Sequence, residues 1–393
     1  LNKLQTSPRL TVLLGVLIAL PALGTDLFVP AMPVLAQALS VEVGAAQFTL
    51  TTYFIGLAAG MLLWGPLSDR YGRKPILFAG LLTMLVACVA ATRVDSVAAV
   101  AAARLAQGLA MASGAVMART IVRDLHAHEQ AARLLAAMTV VFSIVPVAAP
   151  LTGAAVAGAG GWRAIFWTFA AVAAALLVAV FAGLRETAPA ARRSAHPADI
   201  ARTFRVILAD RRFLLPFALV LCCHLGILAW VSSSAFVLVR GLGISTPAYG
   251  LAFAGVMLGQ ITGAWACSRL VMGVGIPRLL RAGAALMLAG GAAAAALAWA
   301  GVAHWAAVVI PFLLFLFGSA LIVPNATAAA LSPFPAFAGS ASSLIGAVGF
   351  TVGAVLSTVL GLLFDGSARP MATVAALAGL LAFSLDRWTR STP

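Results

Sequence analysis

The chain has 393 residues, 63% of them hydrophobic and only 9% charged, with a mean hydropathy of +1.06. That balance excludes a soluble globular domain and points to a polytopic membrane protein. The net charge of +14, from 25 Lys and Arg against 11 Asp and Glu, does not mark a nucleic-acid binder. The cations are parcelled between apolar segments and never clustered on one polar domain.

Apolar runs between polar breaks predict twelve membrane-spanning helices. They fall at about residues 10–37, 45–67, 75–92, 96–122, 132–158, 163–184, 212–238, 247–270, 276–298, 303–326, 340–363 and 371–388. Lys3 and Arg9 before the first run imitate a signal peptide. The run is too long for one, carries Asp26 and lacks a small-residue cleavage site, so it reads as the first span. One long polar stretch, Arg185 to Arg212, divides the spans six and six. This gives an amino-terminal half at 1–184, a linker at 185–211 and a carboxyl-terminal half at 212–393. With the amino terminus inside, twenty of the 25 cations fall on the cytoplasmic side. Arg93, Arg163, Arg240 and Arg369 fall outside, and Arg104 lies within the fourth span. That asymmetry places both termini in the cytoplasm.

The first span holds a single carboxylate, Asp26, near its middle, where a charge costs about 2.5–3.5 kcal/mol on insertion scales. Pro30 and Pro33 follow at i+4 and i+7. Having no N–H, they deprive the carbonyls of Asp26 and Val29 of their helical donors. Exposed backbone oxygens at membrane depth are tolerated only against protein or a wet cavity. The span is therefore expected to line an aqueous pathway, with Asp26 facing it.

A weak internal repeat relates Gly65–Leu77, GPLSDRYGRKPIL, to Cys267-Ser268-Arg269 and Pro277-Arg278-Leu279-Leu280 about 200 residues later, the acid being lost in the second copy. Duplicated six-helix halves with a midplane site between them suit an alternating-access carrier. Cys88, Cys222, Cys223 and Cys267 have neither metal spacing nor paired extracytoplasmic positions. No disulfide, metal site or cofactor is expected, and no phosphate-binding G-x-x-x-x-G-K-[ST] loop occurs. His126 and His128 read as solvated residues of a cytoplasmic loop.

GPLSDRYGRKPIL resembles the signature of the major facilitator superfamily, with Gly65, Asp69, Arg70, Gly72, Arg73 and Lys74 matching. The two glycines suit a tight turn and close helix approach. Asp69 can accept from cations and from a helix amino end. The expected partner end is Gly339-Ser340-Ala341-Ser342-Ser343, opening the eleventh span, with Arg119 and Arg123 as partners in its own half. Such a contact would latch the inner side, whereas the plainer reading leaves Arg70, Arg73 and Lys74 to set topology alone.

Span four carries Arg104, Gln107 and Gly108 as R-x-x-Q-G, similar to the second motif of proton-exchanging members. Asp26 and Arg104 are expected at similar depth, as a proton-coupling pair or as a static buried salt bridge. Span five holds Pro146, Pro150 and Gly153, a helix-bending set. With Gly161-Trp162-Arg163, Glu186-Thr187 and the D-x-x-x-P-A-x-P pattern at Asp26, Pro30, Ala31 and Pro33, it looks like the Bcr/CflA drug-efflux group. The likeness is dense in the amino half, while the carboxyl half matches in hydropathy and the faded repeat. Thr25, Tyr53, His224, Trp230, Phe253 and Gln260, with Asp26, are candidate substrate-binding residues near mid-span, each weighed against a packing role.

The resemblance implies an all-α membrane protein of the major facilitator fold, with twelve helices in two pseudo-symmetric halves. It also implies a proton-coupled antiporter, not an enzyme, in a bacterial inner membrane. The expected cargo is a small lipophilic drug such as chloramphenicol, florfenicol or bicyclomycin. The expected partners are the drug, protons and the lipid bilayer, with no nucleic acid, and the carrier works as a monomer. A metabolite exporter, for amino acids or sugars, is the nearest alternative. An intramembrane enzyme would need a nucleophile–base or metal set that the sequence does not present, and a channel would need a selectivity filter.

Overall fold

The computed structural model describes residues 8–125, 128–187, 197–334 and 337–391, and every regular element in them is helical. Eleven of these stretches are long and apolar enough to cross a membrane. With almost no water-facing polar surface, the chain can satisfy its backbone only within helices.

The first span is broken. Helix α1, Pro8–Asp26, stops at the carboxylate. A short 3-10 turn follows at Val29–Ala31, then α2, Met32–Ala38. Helix α3, Val43–Tyr71, and α4, Arg73–Ala91, meet at Gly72, whose φ of 98° is one a side chain rarely adopts. Then come α5, Val97–Leu125, and α6, His128–Gly183. Within α6, Gly161 takes φ 69° and ψ −174°, a conformation all but confined to glycine. It breaks the 42-residue apolar stretch Phe142–Gly183 into two arms, where the sequence predicts spans five and six. His126 and the side chain of His128 lie outside the described residues, as do residues 188–196 of the expected linker.

Beyond residue 196 the linker is mostly helical. Residues Pro197–Ala209 form α7, and Asp210 caps the next helix by accepting the Arg212 N–H at 2.8 Å. Isoleucine and phenylalanine at helical spacing, Ile200, Phe204 and Ile207, account for this helix in a stretch that looks polar on average. Then follow α8, Arg211–Ala235, with a π-helical extension over Phe236–Gly241, and α9, Thr246–Val274. Helices α10, Ile276–Trp299, α11, Ala306–Leu331, α12, Ala338–Leu362, and α13, Arg369–Ser391, complete the chain.

The chain divides into two compact units, Leu1–Pro197 with Gly346–Ala354, and Ala198–Ile345 with Val355–Pro393. Inside the first, α5 is the central helix, packed on α1, α3 and α4. Inside the second, α11 holds the same station against α8, α9 and α10.

The internal repeat is written in small residues at a constant spacing of 203. A Cβ on Gly56 would lie 2.1 Å from the Leu105 carbonyl, and one on Gly259 would lie 2.5 Å from that of Leu313. Gly60 and Gly263 come as close to the carbonyls of Leu109 and Phe317, at 2.8 and 2.5 Å. One helical turn further, Trp64 donates to the Leu109 carbonyl at 2.6 Å, and the Cys267 thiol lies 3.8 Å from that of Leu321. The series ends at Gly72 and Gly275, which close α3 and α9 with φ of 98° and 84°. Helices gain nothing by hiding apolar surface from lipid, so close backbone approach is what joins them. Each unit thus uses one G-x-x-x-G stripe to seat its second helix on its central one.

Candidate functional site

The site of the first unit is built where α1 breaks. Pro30 has no N–H for the Asp26 carbonyl. The Phe28 N–H turns instead to the Thr25 carbonyl at 3.1 Å, which releases the Gly24 carbonyl from the ladder. Arg104 takes it: one guanidinium nitrogen donates to Gly24 O at 3.0 Å, and another to Gln107 Oε1 at 2.5 Å. The cation also lies over the rings of Phe28 and Tyr53, at 4.2 and 4.0 Å. Buried completely, it is held by charge-assisted hydrogen bonds and ring faces, each cation–π contact being worth about 2 kcal/mol when desolvated.

The expected Asp26–Arg104 pair is not an ion pair here. Asp26, 6% exposed, has its Oδ1 3.1 Å from the Thr25 hydroxyl, and no cation lies within ion-pair distance among the described residues. The Thr25 hydroxyl is also 2.8 Å from the Ala22 carbonyl, a back-bond along α1. Sequence depth brought the acid and the base to one level. The proline break then offered the guanidinium a backbone oxygen instead of the carboxylate. The carbonyl of Val29, expected to be orphaned by Pro33, accepts the Met32 N–H in the 3-10 turn.

Of the other expected residues, Tyr53 belongs to this cluster but is fully buried. Its hydroxyl donates to the Pro21 carbonyl at 2.9 Å and touches the Met111 sulfur at 3.2 Å. A Cβ on Gly24 would strike that hydroxyl at 2.1 Å. Gly153 of the bend set lies against the break itself, where a Cβ would come 2.2 Å from the Leu27 carbonyl. Pro146 and Pro150 lie within α6, in the same helical arm.

In the second unit, Trp230 and Phe253 are buried and pack 5.8 Å apart, with Phe312 at 5.2 Å from Trp230. The Trp230 indole N–H has no partner among the described residues. His224 is half-buried, its Nδ1 2.8 Å from the Val220 carbonyl of the previous turn, and Gln260 is half-buried on α9. All four expected residues belong to the second unit.

At the α3–α4 turn, Asp69 is bound by Arg73, at 2.5 Å, and not by Arg119 or Arg123. Both of those are exposed and form no ion pair with it. Arg73 also donates to Asp124 at 2.9 Å and to the Ser68 hydroxyl at 2.8 Å. Asp69 and Arg73 are brought together across the tight Gly72 turn between α3 and α4, whereas Arg119 and Arg123 must reach from α5. Arg70 lies over the Tyr71 ring. Gly72 is needed for its φ, while Gly65 faces open space within α3 and supports no close approach. The expected helix-end partner of Asp69, residues 339–343, belongs to the other unit.

Two carboxylates here were not expected. Asp124 shares Arg73 with Asp69, and Glu186 accepts the N–H groups of Arg73 and Lys74 at 2.9 and 3.2 Å, capping α4. An acid just past a predicted span, facing a helix amino end three spans earlier, is the signal that could have found Glu186. Among the described residues no group of three or more His, Cys, Asp or Glu could hold a metal ion.

Two helical units built on one repeat, with a buried carboxylate at a proline break in the first span, define a multi-pass membrane transporter. The chain belongs to the Major Facilitator Superfamily, whose profile matches residues 14–385. Its relatives include drug-efflux proteins of the Bcr/CflA type. It is 30% identical to the bicyclomycin resistance protein homolog of Haemophilus influenzae, over 91% of this chain and 90% of that one. It is 26% identical to multidrug resistance protein D of Escherichia coli, over 96% and 95%. Among solved structures, the xylose transporter XylE of E. coli shares the fold with a TM-score of 0.72 at 14% identity, over 98% of this chain and 97% of that one. These proteins are transporters and not enzymes.

Proposed function

We propose that this transporter exports small lipophilic drugs in exchange for protons, with Asp26 as the proton carrier. The observation that carries the reading is the placing of Asp26. It is a carboxylate in mid-span, buried at a helix break, with a threonine hydroxyl for a partner and no ion-paired cation among the described residues. A buried acid paired to arginine would be fixed in one charge state, whereas an acid beside a hydroxyl can take and release a proton. The names of relatives, bicyclomycin resistance and multidrug resistance, support drugs as the cargo.

In this reading Asp26 takes a proton when the site opens outward and drug leaves, and yields it when the site opens inward and drug enters. Inward proton movement gains about 2.3 kcal/mol per 100 mV. One carboxylate gives one proton, which makes neutral-drug export electrogenic and monovalent-cation export electroneutral. Arg104 acts on this step by holding the broken backbone at Gly24, one turn before Phe28. The Asp69–Arg73–Asp124 set serves as the conformational latch. Both termini face the cytoplasm of a bacterial cell, the halves meet through the 185–211 linker, and the monomer is the working form.

The test is chloramphenicol uptake into inverted membrane vesicles under an imposed pH gradient. The native chain accumulates drug; Asp26→Asn binds drug but does not respond to the gradient. An asparagine form that still concentrates drug would remove Asp26 from the coupling step. An alternative cargo, an amino acid or a sugar, would show as counterflow of that compound and no drug uptake.

A further inference from the structure

At the end of the second unit opposite the Gly275 turn lies a cavity of about 150 Å³, bordered by Gly241, Gly301, Ala303, Gly366, Ser367 and Arg369. Val237, Leu242, Val302 and Val308 make its floor apolar, and three glycines narrow its rim. Gly301 and Gly366 take φ of 75° and 85°, so residues with a Cβ are excluded from both turns. Arg369 supplies the charge. Its Nε is buried without a hydrogen-bond partner, and its guanidinium forms no ion pair among the described residues. The neighbouring acid, Asp365, makes no ion pair with it among the described residues and accepts instead from the Ser367 hydroxyl and N–H, at 2.6 and 2.9 Å. The Ser367 hydroxyl, backbone N–H groups and, at longer range, the Arg369 charge hold the Asp365 carboxyl below its usual range. Arg240, beside Gly241, is a second cation at this end.

The surroundings fix the depth of the cavity. Trp299 and Trp305 stand 63% and 48% exposed next to it, with Leu362 and Leu363 at 78% and 59%. Exposed indoles beside exposed leucines mark the headgroup level of a bilayer. Arg369 lies over the Trp299 ring at 5.2 Å, which orients the guanidinium, and the Trp299 N–H is itself held by Thr373 at 3.1 Å. An arginine with an unsatisfied Nε–H, at a small recess at headgroup depth, matches a phosphate on a lipid.

We propose that this cavity seats the phosphodiester of a membrane phospholipid, with Arg369 as its anchoring cation and the acyl chains lying along the exposed leucines. The site is separate from Asp26 and would serve to hold the second unit in the bilayer.

The test uses the purified full chain in detergent. All four cysteines are buried, so thiol labelling on heating reports unfolding. Short-chain phosphatidylglycerol, diacylglycerol of the same chains, and inorganic phosphate are titrated separately. The expected result is a rise in unfolding midpoint with phosphatidylglycerol alone. Arg369→Gln raises the half-maximal lipid concentration about tenfold. Arg369→Lys recovers part of the response, and Ala303→Leu, which keeps the charge but fills the recess, abolishes it. Diacylglycerol acting as well as phosphatidylglycerol would overturn the proposal, because the phosphate would then be irrelevant. Inorganic phosphate acting as well would overturn it in favour of a free-anion site. Variants with native lipid response would show that the cavity is not where lipid binds.

Discussion

Arg104 donates to the backbone carbonyl of Gly24, 3.0 Å away, and not to the carboxylate of Asp26 two residues further along the same helix. The cation therefore stabilises the shape of the break and forms no ion pair with the acid. A guanidinium can do this because it is planar and always charged, with donors enough for Gly24 and Gln107 at once.

Removing that cation should cost stability as well as transport. Arg104→Ala is expected to lose about 2–4 kcal/mol, from the charged hydrogen bonds and the ring contacts. Thermal unfolding followed by cysteine labelling would show it as a lowered midpoint. Arg104→Lys keeps the charge but cannot span both partners, and should recover little of it. A native midpoint in Arg104→Ala would mean that the break needs no support from α5.

Gly153 should tolerate no side chain. Gly153→Ala places a methyl 2.2 Å from the Leu27 carbonyl, at the break beside Asp26, where backbone must move. Overpacking of this kind costs about 1–3 kcal/mol. Gly158→Ala is the control, since nothing lies within 4 Å of its added carbon. Drug efflux in intact cells should fall in the first variant and stay native in the second.

Asp69 and Asp124 share one arginine, so their losses should not add. Asp69→Asn leaves Arg73 held by Asp124 and is expected to slow turnover without erasing drug binding. Asp124→Asn should behave alike. The double variant leaves a nearly buried cation unpaired and should fall below the sum of the two by about 1–3 kcal/mol. A double-mutant cycle on unfolding midpoints measures the coupling, and additivity would deny that Arg73 is the shared hub.

The two G-x-x-x-G stripes should fail in parallel. Gly56→Leu and Gly259→Leu each drive a side chain into a carbonyl of the central helix of their own unit. Both are expected to reduce the amount of folded protein in the membrane. Gly255→Leu, a glycine of the same helix that meets nothing within 4 Å, should not. Membrane-fraction yield and cysteine protection give the readout.

Much of this architecture is legible in the chain itself. Hydropathy marks the spans because lipid offers no partner to a backbone outside a helix, and Gly161 and Gly72 punctuate them because few other residues can take those angles. Asp26 declares itself by its cost in the membrane. The signature around Asp69 is readable for the same reason, an acid where topology alone needs cations. The repeat was visible only as a faded loop, because loop side chains drift. Its constant spacing lies in glycines that look interchangeable until their neighbours are known.

Which atom each charge chooses was settled by folding. Spacing puts Arg104 level with Asp26, but not that the proline break frees the Gly24 oxygen first. Sequence offers Arg119 and Arg123 to Asp69, while the tight Gly72 turn gives Arg73 the shorter reach and leaves Asp124 as the second acceptor. Composition and periodicity fix what must be buried, since they act along the chain. Partner choice is a competition among donors and acceptors brought together from distant segments, and only their arrangement in space decides it.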